Sequence, residues 1–290
     1  MDFLEKYSYT PSKIDENVAA VKANLAAWKT KAVWQDVLGM IDLTSLTVSD
    51  TPTKIAAMTE KVNAFASAFP QYPAPASICV YPNLAKTIAD ARESKAIHIT
   101  AVGGGFPASQ TFLQVKVAEC VAAVKDGADE IDIVLAHNSF CDGRFEDAAN
   151  EISDIKQAIL SVNPAAHLKV ILETGALASY SDMATASFLA MEAGADFIKT
   201  STGKIGVSAT PEAAYVMCEC IKAYFEATGT KVGFKPAGVI ATADDASLYY
   251  GIVDTVLGKK WLNKGLLRFG ASRMANNLLS ALEGKEVKYF

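Results

Sequence analysis

The chain has 290 residues, 51% of them hydrophobic, and a formal net charge of −5. That length holds one large α/β domain or two ordinary ones, and it buries a sizeable core without disulfides or metals. The acidic balance excludes a general binder of nucleic acid or anionic membranes, which needs clustered Lys and Arg, but it allows a local basic pocket for one small anion. In chain order, residues 1–35 are polar and helical in character, with Val18, Val21, Leu25 and Trp28 at helical spacing, and form an N-terminal helical extension. From residue 36 the pattern alternates. Short runs rich in Val and Ile stand at 37–43, 77–82, 97–102, 130–136, 168–174, 196–201, 231–237 and 266–272, and Ala/Lys/Glu-rich segments of helical period separate most of them.

Near-continuous apolar strands alternating with helices imply a parallel sheet covered on both faces. Eight such units predict an α/β fold, a single (β/α)8 TIM barrel over residues 36–290. An open doubly wound sheet would carry a G-x-G-x-x-G turn after an early strand. "VGGGFPAS" (102–109) misses that spacing, and Pro107 interrupts the turn. "GAD" occurs before two strands (127–129 and 194–196), which predicts the same helix–Gly–strand connection twice.

Cys79, Cys120, Cys141, Cys218 and Cys220 make an odd set, and no signal-peptide pattern precedes them, so a reduced, cytoplasmic compartment is expected. Cys218-x-Cys220 lies in an Ala-rich helical stretch and reads as core thiols. His98, His137 and His167 lack paired ligand spacing, so no metal site is expected. No apolar run reaches transmembrane length.

In a barrel, chemistry gathers at the C-terminal ends of the strands, so polar residues late in apolar runs are informative. Asp42 ends the first run, Asp132 lies within the fourth, and Lys199 and Lys235 stand near the ends of the sixth and seventh. One such lysine alone is as readily a structural ion pair. Two on neighbouring strands repel, each disfavouring protonation of the other, with an aspartate close by. A buried lysine of depressed pKa attacks carbonyls to give a Schiff base, and the carboxylate then serves as a proton shuttle. "STGK" (201–204), "PAGV" (236–239) and "GASR" (270–273) follow the last three strands. They offer glycine-rich backbone to an anion, although tight βα turns alone would also explain the glycines.

"MIDLT" (40–44), "CVYP" (79–82), "GADEIDIV" (127–134), "KVILETG" (169–175), "GADFIKTSTGK" (194–204), "GFKPAG" (233–238) and "RFGAS" (268–272) resemble the deoxyribose-phosphate aldolases, from about residue 36 to about residue 275. The resemblance implies a cytosolic class I aldolase, a homodimer or homotetramer, that cleaves 2-deoxy-D-ribose 5-phosphate to acetaldehyde and D-glyceraldehyde 3-phosphate. It implies no metal or organic cofactor. Its partners are a phosphorylated deoxy-sugar and small aldehydes. By position, Lys199 becomes the Schiff-base lysine, Lys235 its neighbour that perturbs it and relays protons, and Asp132 the shuttle at the C3 hydroxyl. Asp42, Thr44 and Thr200 support the site and the sugar, and Gly203, Lys204, Gly238, Gly270 and Ser272 contact phosphate. The family usually has a second glycine where Val239 stands, a basic residue at Ala241 and a second serine at Arg273. Val239 and Arg273 remain substrate-binding candidates, Arg273 either as a bidentate phosphate ligand that compensates or as a side chain that fills the pocket, and the departures together predict weakened phosphate binding. They also keep open a barrel with little or no aldolase activity that acts on another aldehyde or serves as a protein-interaction module. Some family members end in a tyrosine whose hydroxyl enters the site, and Tyr289 is the candidate here.

Overall fold

The computed structural model describes residues 10–238 and 240–290. The eight apolar runs form parallel strands: β1 (Ile41–Thr44), β2 (Ser77–Val80), β3 (His98–Val102), β4 (Glu130–Val134), β5 (His167–Ile171), β6 (Phe197–Lys199), β7 (Gly233–Lys235) and β8 (Phe269–Ala271). Their order is β7-β6-β5-β4-β3-β2-β1-β8. Bridges Phe234–Leu267 and Ala237–Gly270 bring β8 back to β7. Gly270 N–H donates to the Pro236 carbonyl at 3.0 Å across that seam, so the barrel closes.

The outer helices are α3 (Pro52–Ala68), α4 (Ala85–Ala91), α5 (Leu113–Lys125), α6 (His137–Cys141), α7 (Phe145–Val162), α8 (Tyr180–Glu192), α9 (Pro211–Thr228), α10 (Ala243–Val256) and α11 (Met274–Glu283). No helix among the described residues is long and apolar enough to cross a membrane. The strands are shorter than the apolar runs that announced them. Val37 and Leu38 belong to the end of a helix rather than to β1, because a short apolar run buried on all sides has no period of its own. Gly127 and Gly194 both take positive φ, as the repeated "GAD" predicts.

Among the described residues two α-helices precede the barrel, α1 (Pro11–Ala23) and α2 (Lys31–Leu38). Ile14, Val18 and Val21 are buried, whereas Leu25 is only partly so. α1 packs on α9 and α10, and α2 on α10 and α11. Trp28 anchors the turn between them. Its ring fills the space over Gly251, where any Cβ would stand 2.5 Å from it, and its Nε1–H donates to Asp254 Oδ2 at 2.9 Å. These residues join one continuous apolar core with the barrel.

The tail folds back on α3. Tyr289 and Phe290 pack on Phe65, Tyr289 also meets Phe69, and the Tyr289 hydroxyl donates to the Lys61 carbonyl at 2.8 Å. Asn276 Oδ1 accepts both tail amides at 2.9 Å.

Candidate active site

Asp132 stands at the centre of the barrel interior. Its Oδ1 accepts from Lys169 Nζ at 2.9 Å, and its Oδ2 accepts from both Lys199 and Lys235 at 2.8 Å. Strand register explains the grouping: Asp132 is paired with Lys169 across β4 and β5, and Lys199 with Lys235 across β6 and β7. A second carboxylate, Asp42, lies 2.5 Å from Lys235 Nζ. Its Oδ1 accepts from Arg268 Nη1 at 2.6 Å and from the Ser77 hydroxyl at 2.7 Å. Beneath them, Glu130 lies 2.5 Å from Lys169 Nζ and accepts from Arg268 Nη2 at 2.8 Å, with His98 Nδ1 2.6 Å away. All seven charged groups are at most 4% exposed.

Three carboxylates face four cations, so the buried interior is neutral only if one cation gives up its proton. The contacts decide which cation is paired least. Lys235 touches Asp132 and Asp42, Lys169 touches Asp132 and Glu130, and Arg268 touches Asp42 and Glu130. Lys199 has Asp132 alone, and three lysines share that carboxylate. Burial therefore lowers the Lys199 pKa, Asp132 offsets this only in part, and the Lys235 charge adds to the lowering. On Lys235 burial acts the same way, but Asp132 and Asp42 outweigh it and the pKa rises. Here the expectation of mutual depression is corrected: the pKa of the lysine with two carboxylates rises, and only that of its neighbour falls. Burial would raise Asp132, yet Lys169, Lys199 and Lys235 hold it well below the usual carboxylate range. Asp42 likewise overcomes burial, through Lys235 and Arg268, and titrates at about 2.

Above this layer opens a cavity of about 340 Å³, lined by Thr44 to Thr47, Lys199, Thr202 to Lys204, Ala237, Gly238 and Gly270 to Ser272. Of the seven interior charges only Lys199 reaches it. Gly203 and Gly238 both have positive φ (73° and 78°), and a Cβ built on Gly203 would come within 3.8 Å of the Gly238 Cα. Bare backbone thus forms one wall. A Cβ at Gly238 would also strike the Ser208 side chain at 2.5 Å. Lys204 Nζ donates to the Leu46 carbonyl across the mouth. The Thr44 hydroxyl donates to the Asp42 carbonyl at 2.8 Å, at the foot of the same cavity.

The expected site residues therefore divide. Lys199, Thr44, Gly203, Lys204, Gly238, Gly270 and Ser272 meet at the cavity, with Lys235, Asp132 and Asp42 directly beneath. Thr200 is fully buried and spends its hydroxyl on Ala237, accepting its N–H at 3.0 Å, so it ties β6 to β7 and does not line the cavity. Arg273 is exposed at the start of α11. Ala241 N–H donates to Asp245 Oδ2 at 3.2 Å, beside the Thr242–Asp245 capping box that opens α10. Val239 lies outside the described residues. Tyr289 is placed elsewhere, against the C-terminal half of α3, whereas the cavity opens at the C-terminal ends of the strands. Sequence reasoning missed Lys169, Glu130 and Arg268. A signal existed, since positions 130 and 132 share a face in any strand and 169 and 268 are charges inside apolar runs. They stand early in their runs, where a charge reads as a residue reaching water.

A closed (β/α)8 barrel in which three buried lysines share one carboxylate near the strand ends, one of them opening on a cavity with its pKa lowered, has the make-up of an enzyme barrel. Residues 37–248 match the DeoC/LacD family aldolase family, and the chain belongs to it. A human protein named deoxyribose-phosphate aldolase is 38% identical over 273 residues, 87% of this chain and 80% of that one. An Agrobacterium fabrum protein of the same name is 38% identical over 250 residues, 86% of this chain and 91% of that one. The Aeropyrum pernix deoxyribose phosphate aldolase, described as having a unique tetrameric structure, superposes with a TM-score of 0.67 at 24% identity, covering 85% of this chain and 91% of that one. The protein is an aldolase, a carbon–carbon lyase.

Proposed function

We propose that this aldolase cleaves 2-deoxy-D-ribose 5-phosphate to acetaldehyde and D-glyceraldehyde 3-phosphate, reversibly, through a Schiff base on Lys199. One observation carries the proposal: among the described residues, Lys199 is the only interior amine that opens on the cavity, and the one carboxylate it touches is shared with two other lysines. Its Nζ attacks the C1 aldehyde carbon of the open-chain sugar, and loss of water from the carbinolamine leaves an iminium. Asp132, acting with a water, takes the C3 hydroxyl proton. The C2–C3 bond breaks, its electrons moving into the iminium to give an enamine, and D-glyceraldehyde 3-phosphate leaves. Lys235 relays the proton that returns to C2, and hydrolysis releases acetaldehyde. Asp132 and Lys235 share an oxygen–nitrogen contact of 2.8 Å, so the relay is assembled before substrate arrives.

The glycine wall at Gly203 and Gly238, with Lys204 and Ser272, takes the phosphate, which favours bare backbone amides and a cation. We place the enzyme in the cytoplasm, a location supported by its five free cysteines. We propose a homodimer or homotetramer, supported by the tetrameric relative. The test is borohydride trapping with deoxyribose 5-phosphate followed by peptide mass spectrometry. A reduced adduct on Lys199 is expected. Folded protein that gives no adduct at high substrate, or an adduct on another lysine, overturns the proposal.

A further inference from the structure

Glu173 plays no part in the chemistry above, yet the fold treats it unusually. It follows β5 directly, is 4% exposed, and holds a left-handed backbone (φ 47°, ψ 58°) at the start of a short helical turn, Thr174–Ala176. Such a backbone costs a non-glycine residue on the order of 1 kcal/mol, and burying a carboxylate costs more unless it is well bonded. No ion pair among the described residues includes this carboxylate. Its partners are both donors of one residue: Oε1 accepts the Thr202 N–H at 3.1 Å, and Oε2 accepts the Thr202 hydroxyl. The Thr202 oxygen in turn accepts the Lys204 N–H at 3.0 Å.

Two further contacts seat the same loop on the same turn. Thr174 N–H donates to the Thr200 carbonyl at 2.9 Å. Gly175 lies so close under Val207 that a Cβ would stand 2.3 Å from the Val207 carbonyl oxygen. The loop between β6 and α9 therefore rests on the turn after β5, and Glu173 is its central fastening. Because Thr202 spends both donors inward, the chain turns at Gly203 with positive φ and sends Gly203 and Lys204 to the cavity wall.

We propose that Glu173 is a positioning residue for phosphate recognition: its buried carboxylate, held in the left-handed turn after β5, takes both donors of Thr202 and so locks the loop in the form that presents Gly203 and Lys204 to the anion. It acts through Thr202 and touches neither the sugar nor Lys199. The proposal rests on the aldolase function of the cavity and extends it to the origin of phosphate selectivity.

The test compares steady-state cleavage of 2-deoxyribose 5-phosphate and of unphosphorylated 2-deoxyribose by wild type, Glu173→Gln, Glu173→Ala, Thr202→Val and the Glu173→Gln/Thr202→Val double variant. Losing charge-assisted bonds of this kind weakens binding by roughly tenfold or more. For Glu173→Gln and Glu173→Ala, KM for the phosphorylated sugar should rise at least tenfold with kcat within threefold, while kcat/KM for the unphosphorylated sugar stays within threefold. The double variant should raise KM no further than Glu173→Gln alone, because both changes break one fastening. Equal losses on both sugars, as a merely structural residue would give, or additive effects in the double variant, overturn the proposal. So does an unchanged KM. A wild-type enzyme that does not prefer the phosphorylated sugar removes the functional premise itself, an outcome distinct from a wild type that prefers it and variants that still do.

Discussion

Replacing Lys235 with Met tests why the Lys199 pKa is lowered. Lys235 and Lys199 each lie 2.8 Å from one oxygen of Asp132, so their nitrogens are at most about 5.6 Å apart. Two unit charges about 5 Å apart repel by about 3 kcal/mol at an effective dielectric of about 20. Removing the Lys235 charge lifts that repulsion and also leaves Asp132 Oδ2 to Lys199 alone, and both changes favour the protonated amine. About 3 kcal/mol is two factors of ten in proton affinity, so on the acid limb the free-amine population should fall roughly 100-fold. The acid limb of kcat/KM against pH should move to higher pH in Lys235→Met, and borohydride trapping at neutral pH should slow in proportion. Lys235→Arg, which keeps the charge, should leave the limb near its wild-type position even if proton relay suffers. An acid limb that stays in place in Lys235→Met, with only kcat reduced, refutes the charge argument and leaves Lys235 as a relay alone.

Gly238→Ala puts a Cβ into the Ser208 side chain on a positive-φ backbone. It should raise KM for the phosphorylated sugar at least tenfold and lower stability by about 1–2 kcal/mol, both read from kinetics and urea melts. Deleting Tyr289 and Phe290 removes ring contacts with Phe65 and Phe69. It should lower stability by about 2 kcal/mol with kcat unchanged, whereas a tail that enters the site would lose kcat. Asp42 titrates at about 2 in the folded protein against an ordinary 3.8. Its depressed value contributes roughly 2 kcal/mol of stability above pH 4, lost as pH falls toward 2. Asp42→Asn should therefore be less stable at neutral pH and show a shallower acid decline in urea-unfolding free energy.

The barrel was legible in the chain, and so were three of the charges that meet inside it. Parallel strands buried on both faces leave nearly unbroken Val/Ile runs, and a lysine late in such a run stands out because apolar strands rarely tolerate it. That is why Lys199, Lys235 and Asp132 could be named before any coordinates. Thr200 could not be sorted from its neighbours, since its hydroxyl turns on whether β6 or the cavity claims it, and the seam with Ala237 claims it. Glu173 stood inside a quoted motif without a role, because a left-handed turn is a property of backbone angles and not of composition.

What the sequence by itself determined is the set of charges and their strands. Only the tertiary structure decided which of their proton affinities rise and which fall. Closure of the barrel brings Glu130, Lys169 and Arg268, which read locally as strand-start residues able to reach water, under the layer of Asp132, Lys199 and Lys235. Register then gives Lys235 two carboxylates and Lys199 a third share of one. Proton affinity in a buried site follows the sum of neighbouring charges across strands distant in sequence, so no local pattern could have told the lysine of lowered pKa from the lysine of raised pKa beside it.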